Sequence, residues 1–410
     1  MRVLVHDYSG HPFQVQLSRE LARRGHDVTH WHCSSYATGK GALQRSFDDP
    51  ASFTVGAIAM RAPFQRYSPA RRVLQELEYG RTLGRRMRRA RPDAVVFCNT
   101  PLIAHAVAAA TCRRAGVPMV FWQQDVYSAA IAQAAALRLG GAGRALGVAA
   151  DRVERLVARQ SAHVVPIAED FMPALRRWGV ADRATVVRNW APLAELPVRR
   201  RDNAWARVHG LARRPVVLYA GTLGLKHDPS VFVALAEALR SGLPAARVVV
   251  VSEGRGRQWL EAQTRSRRLD NLVLLDYQPY DALPDVLGSA DVLLALLEAD
   301  AGQYSVPSKV LTYLCAKRPI VAVLPPQNAA AATLRDSRGA RVLAPGDVQA
   351  VITTVLDLLG NPRLRRTLGE AARRYAESQF DVGARADDFE SILRRVSGST
   401  RVQDVRGAAA

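Results

Sequence analysis

The chain has 410 residues, 48% of them hydrophobic, with 57 lysines and arginines against 37 acidic residues and a net charge of +20. That length exceeds one ordinary core and implies two domains. No window approaches the roughly eighteen continuous apolar residues of a spanning helix, and the start at Met1-Arg2-Val3-Leu4 lacks the pattern of a secretory signal. Cys33, Cys98, Cys112 and Cys315 form no Cys-x-x-C pair and read as reduced core thiols of a cytoplasmic protein. The positive charge suits an acidic partner or surface, or reflects an arginine-rich genome. Nucleic acid is not expected, because no zinc-finger, RNP-like or separate helix-turn-helix pattern is present.

Strand and helix patterns alternate from the first residue. Strands are expected over 1–6, 27–33, 53–60, 93–98, 118–122, 163–167 and 185–188, with a helix over 12–24 closed by Gly25. The arginine-rich stretch 71–91 has the spacing of a basic amphipathic helix interrupted by Gly80 and Gly84. Residues 128–150 read as a packed helix pair turning at Gly140-Gly141. The segment 191–203, rich in proline and arginine, is the expected linker. The pattern then restarts with strands over 216–220, 247–252, 272–275, 291–296 and 319–324. This is an α/β chain of two tandem, doubly wound Rossmann-like domains, over 1–190 and 204–379. A helix over 380–396, expected to return to the first domain, precedes a tail over 397–410 expected to be disordered.

Two segments have the chemistry to hold phosphate. In Tyr219-Ala220-Gly221-Thr222-Leu223-Gly224-Leu225-Lys226 a buried strand leaves through glycines, which would free backbone N–H groups beside a lysine. In Val306-Pro307-Ser308-Lys309, Ser308 is a natural N-cap for the helix that follows. Taken singly, each reads more readily as a plain turn or a plain cap.

These features together resemble the GT-B glycosyltransferases, most closely the retaining family-4 group that builds bacterial exopolysaccharide and lipid-linked sugars. Similar elements are Arg24-Gly25-His26-Asp27-Val28, Asn189-Trp190, Ser289-Ala290-Asp291-Val292, the Pro-Ser-Lys run through Tyr313-Leu314, and Arg318-Pro319-Ile320. The resemblance implies a cleft between the two domains and transfer from a nucleoside diphosphate sugar to a saccharide or polyprenyl-linked acceptor, with retention and without a metal. It implies that Lys226 neutralises the diphosphate and that Gly10, Gly221, Thr222, Gln278, Ser305, Val306, Ser308, Lys309 and Thr312 surround the donor. Asp125, in Gln123-Gln124-Asp125-Val126-Tyr127, becomes the acceptor-side carboxylate, or else simply caps the next helix.

The chain departs from the family at two points. Thr222 stands where an arginine is usual, leaving Lys226, Lys309 or Arg257 more of the charge; Tyr304 and Thr312 stand where the family carries glutamates. A catalytically silent partner of an active transferase is therefore the alternative reading, and a sugar-nucleotide epimerase a further one. The basic helix and the alanine-rich segment 128–150 together suggest a peripheral contact with anionic membrane.

Overall fold

The computed structural model describes residues 1–36, 40–62, 69–224, 227–297 and 308–407; the side chains of 69, 70, 134, 137–139 and 399–407 lie outside that description. The chain divides into two compact units, Met1–Asn189 with Val382–Ala410, and Trp190–Asp381.

The first unit contains β1 (Arg2–Asp7), α1 (Pro12–Arg23), β2 (Asp27–Cys33), β3 (Phe53–Ile58), α2 (Pro69–Ala90), β4 (Ala94–Cys98), α3 (Leu102–Ala115), β5 (Met119–Gln123), α4 (Tyr127–Gln160), β6 (His163–Pro166) and α5 (Met172–Trp178). Its sheet is parallel, in the order β3-β2-β1-β4-β5-β6. Strands β4 and β5 are buried at every residue, as a sheet covered on both faces demands. The strand expected over 185–188 reduces to one bridge, Val164 to Ala184, and two backbone bonds. Pro166 stands on the partner strand and has no N–H with which to extend the ladder.

The second unit contains α6 (Ala204–Val208), β7 (Val216–Ala220), α7 (Ser230–Gly242), β8 (Arg247–Val251), α8 (Arg255–Arg267), β9 (Leu272–Leu275), α9 (Leu283–Gly288), β10 (Val292–Leu296), α10 (Lys309–Cys315), β11 (Ile320–Val323), α11 (Ala329–Ser337), β12 (Ala340–Leu343), α12 (Val348–Gly360) and α13 (Pro362–Gln379). The sheet order is β12-β11-β10-β7-β8-β9. Counted from the first strand of each unit, the two sheets have the same order, with the direction of winding reversing between β1 and β4 and between β7 and β10. Strand β12 is absent from the sequence reading, being a short edge strand whose residues are half-buried or exposed. The 191–203 stretch lies along this unit, tied by Arg199 to Asp285 at 3.2 Å and Arg201 to Asp291 at 2.9 Å.

Three packing details explain sequence features. Helix α2 runs unbroken through Gly80 and Gly84 because a Cβ there would meet Ala104 and Val107, or Thr111, at 3.0 Å or less; the glycines let α2 and α3 approach. Helix α4 folds back at Gly140, whose φ and ψ are 52° and −119°, and Gly147 lets the second arm close onto Ala132. The last helix, α14 (Val382–Gly407), belongs to the first unit and continues past Ser397, the expected start of a disordered tail. It docks on the Arg-Gly-His turn. Arg24 binds Asp387 at 2.6 Å and the Gly383 carbonyl at 2.8 Å, His26 meets Glu390 at 3.0 Å, and Phe389 packs on Trp122 with centroids 4.6 Å apart.

Candidate donor and acceptor sites

In the second unit the described parts of the two segments singled out as phosphate candidates meet at the switch point between β7 and β10. These strands pair only at Val217 and Leu218, then diverge. The Tyr313 hydroxyl fills the widening gap: it accepts from the Ala220 N–H at 2.8 Å and donates to the Ala220 carbonyl at 3.1 Å. One turn earlier on α10, half-buried Lys309 directs its ammonium onto the Tyr219 ring, 3.9 Å from the centroid, and donates to the Tyr219 hydroxyl. That hydroxyl in turn donates to the Thr222 carbonyl at 2.9 Å. Burial lowers the Lys309 pKa from 10.5 to about 7.

The backbone of the glycine turn behaves otherwise than expected. The N–H groups of Gly221, Leu223 and Gly224 are occupied by the Val251 carbonyl at 3.0 Å, Ser252 Oγ at 3.0 Å and His227 Nδ1 at 3.3 Å. The turn is thus not a row of free donors, because it extends the β7–β8 ladder before bending away. Gly221 matters for space and conformation: its φ is +143°, and a Cβ would sit 3.0 Å from Lys309 Nζ. Thr222 shares a hydrogen bond with the Tyr277 hydroxyl.

The other predicted donor residues divide. Thr312 lies on α10, three residues after Lys309 and half-buried. Ser308 is exposed and makes no side-chain cap, its backbone already being helical, which corrects the expected N-cap. Gln278 adjoins Tyr277, but its amide is engaged at both ends, accepting from the Trp205 indole at 2.9 Å and donating to the Asp276 carbonyl at 2.9 Å. Arg257 is committed to Glu261 and Asp276. Lys226, Tyr304, Ser305 and Val306 lie outside the described residues, as does the Glu298-Ala299-Asp300 loop.

Gly10 and Asp125 belong to the first unit. Gly10 is buried with φ +76°, beneath Leu43, and its carbonyl accepts the Gly41 N–H at 2.8 Å. The loop is shaped by Asp7, at the end of β1, whose carboxylate accepts the amides of Ser9 at 3.0 Å and His11 at 2.6 Å. Burial raises the Asp7 pKa, partly opposed by His11 and Asn99. Asp125 follows β5 and is half-buried. The amides that an Asp125 cap would hold belong to Glu154 instead, which reaches back from the second arm of α4 to Tyr127 N–H at 3.0 Å and Ser128 N–H at 2.7 Å. Burial holds the Glu154 pKa up at about 7 despite those bonds.

Sequence reasoning did not assign roles to Tyr219, Tyr277, Tyr313, Asp7 and Glu154. Tyr219 and Tyr313 carried a signal: hydroxyl-bearing rings inside otherwise apolar runs must find buried partners.

Residues 11–190 match the model of the glycosyl transferase 4-like domain, and residues 214–361 match that of the glycosyl transferases group 1. The chain is a family-4 GT-B glycosyltransferase. The transferase is 25% identical over 333 residues to WcaI of Escherichia coli (strain K12), a proposed colanic acid biosynthesis glycosyl transferase, covering 78% of this chain and 75% of that protein. A second relative, the alpha-D-kanosaminyltransferase of Streptomyces kanamyceticus, is 24% identical over 190 residues, 46% of this chain and 47% of its own length. Among solved structures, the fold matches sucrose-phosphate synthase from Thermosynechococcus elongatus with a TM-score of 0.74 at 13% identity, over 97% of this chain and 100% of that one. It matches Anabaena HepE, solved with UDP and glucose, with a TM-score of 0.67 at 16% identity, over 96% and 99% of the two chains.

Proposed function

We propose that this transferase moves a sugar from a nucleoside diphosphate sugar to a saccharide or polyprenyl-linked acceptor with retention, in the synthesis of a bacterial surface glycan. The observation that carries the donor assignment is Lys309, a cation held against Tyr219 and Gly221 at the switch point, where ligands of such sheets bind. Burial weakens its hold on a proton in the free protein, and a diphosphate placed beside it restores that hold. As the bond from the anomeric carbon to the phosphate oxygen breaks, negative charge grows on the leaving diphosphate. Lys309, with Lys226, stabilises it in place of a metal ion. The acceptor oxygen attacks the same carbon from the same face and its proton passes to the leaving phosphate oxygen, while Asp125 orients the acceptor hydroxyl.

HepE was solved with UDP-glucose, and on this reading the present donor is also a nucleoside diphosphate sugar. No described helix is long and apolar enough to cross a membrane. A lipid-linked acceptor would be met peripherally, by the exposed arginines of α2 and by Leu146, Val148 and Leu156 on α4.

The test is thermal stabilisation by UDP, GDP, ADP and TDP and their sugars. A selective rise in midpoint that is lost in Lys309→Met supports the donor site. No response to any of them would favour a silent partner.

A further inference from the structure

At the edge of the first unit opposite the ends of β1 and β5 where Gly10 and Asp125 lie, a cavity of about 770 Å³ opens among the starts of β1, β4 and β5, the last turns of α2 and α3, and α14. Its polar lining is one-sided: Arg2, Arg88, Arg91 and Arg394 against the single carboxylate of Asp93. Asp93 is already bound to Arg2 at 3.1 Å, and Arg394 to Glu390 at 2.6 Å. Among the described residues, no carboxylate pairs with Arg88 or Arg91, and both are exposed. Arg91 follows the last residue of α2 with φ 45°, a left-handed conformation that disfavours a non-glycine residue. A plain helix stop would be met more cheaply by glycine. Ser397 on α14 also lines the cavity, with its hydroxyl buried and without a hydrogen-bond partner. Met87, Pro92, Val117 and Pro118 supply the apolar wall.

Solvated arginines at helix C-termini need no ligand, since the helix dipole favours them there. That account does not explain why two of them share a cavity with an unsatisfied hydroxyl and a carboxylate already paired. We propose that this cavity is a second anion site, which binds a phosphate or diphosphate group through Arg88, Arg91 and Ser397. Guanidinium forks match phosphate oxygens in geometry as well as charge, and the volume suits a small phosphate ester or a lipid headgroup. The site lies outside the chemistry assigned to Lys309 and Asp125 and does not depend on it.

The experiment uses the full chain carrying Lys309→Met, so that pyrophosphate is not read at the donor site. Pyrophosphate is titrated calorimetrically, and phosphatidylcholine vesicles with and without phosphatidylglycerol are tested by co-sedimentation. Arg88→Gln/Arg91→Gln is compared with Arg363→Gln/Arg366→Gln, which removes the same charge from the exposed face of α13 in the second unit, and Ser397→Leu provides a variant that leaves the arginines in place. Circular dichroism melting confirms that each is folded. Saturable pyrophosphate binding that weakens about tenfold or more in the 88/91 pair and in Ser397→Leu, but not in the 363/366 pair, supports a soluble phosphate ligand. The same pattern seen only with phosphatidylglycerol vesicles supports a lipid headgroup. Binding of neither probe, or equal losses in both arginine pairs, overturns the proposal.

Discussion

The switch point of the first sheet, between β1 and β4, holds a buried carboxylate, Asp7; that of the second, between β7 and β10, holds an ammonium, Lys309. The strand order around them is the same. Asp7 accepts two backbone amides and an Asn99 side-chain bond at 3.2 Å, and so is used up in shaping its own loop. Lys309 has a phenol and an aromatic face, with no carboxylate paired to it among the described residues. One topology thus carries a satisfied anion at one crevice and an under-satisfied cation at the other, and the second is the crevice we assign to the anionic donor.

Removing the unsatisfied cation should have the largest effect. Lys309→Met is expected to lower kcat/KM by about 10²–10³-fold, the scale of losing one preorganised charge-stabilising group, as read in a transfer assay with the cognate donor. Asp125→Asn addresses the first unit: transfer should fall about 10²-fold or more while nucleotide-induced stabilisation is unchanged. A loss of nucleotide response there would merge two roles that are here kept apart. Gentler is Tyr313→Phe, which strands the Ala220 N–H and carbonyl where β7 and β10 part. Denaturant unfolding should show a loss of about 1–3 kcal/mol.

The most distributed effect concerns pH. His30 and His105 are buried in the first unit with pKa values lowered by burial to about 3. Between that value and 6.5 the unfolded chain binds more protons than the folded one, so stability falls as pH drops through this window. Acid unfolding followed by amide exchange should open the β1–β2 region before the second sheet. Simultaneous opening would mean that these histidines do not set the order.

Much of this contrast was legible in the chain. The alternation of strands and helices yields both sheets, and Tyr219 to Thr222 and Ser308 to Thr312 do converge, since parallel strands carry their exits to one edge. Occupancy was not legible. Whether the amides of Gly221 and Gly224 are free depends on Val251 and His227, and the cap of α4 comes from Glu154, twenty-seven residues along a helix that has turned back. Edge strand β12 shows little burial from which to read a period.

The most direct measurement is calorimetric binding of the cognate nucleoside diphosphate across pH 6 to 9, in two buffers of different ionisation enthalpy, for the native chain and Lys309→Met. Burial lowers the Lys309 pKa to about 7, and a diphosphate beside it would raise it again. Binding to the native chain should therefore take up protons above pH 7 and weaken by up to about tenfold per pH unit, a dependence lost in Lys309→Met. Tight binding with no proton uptake, and the same pH profile in both proteins, would contradict the assignment of Lys309 to the donor phosphates.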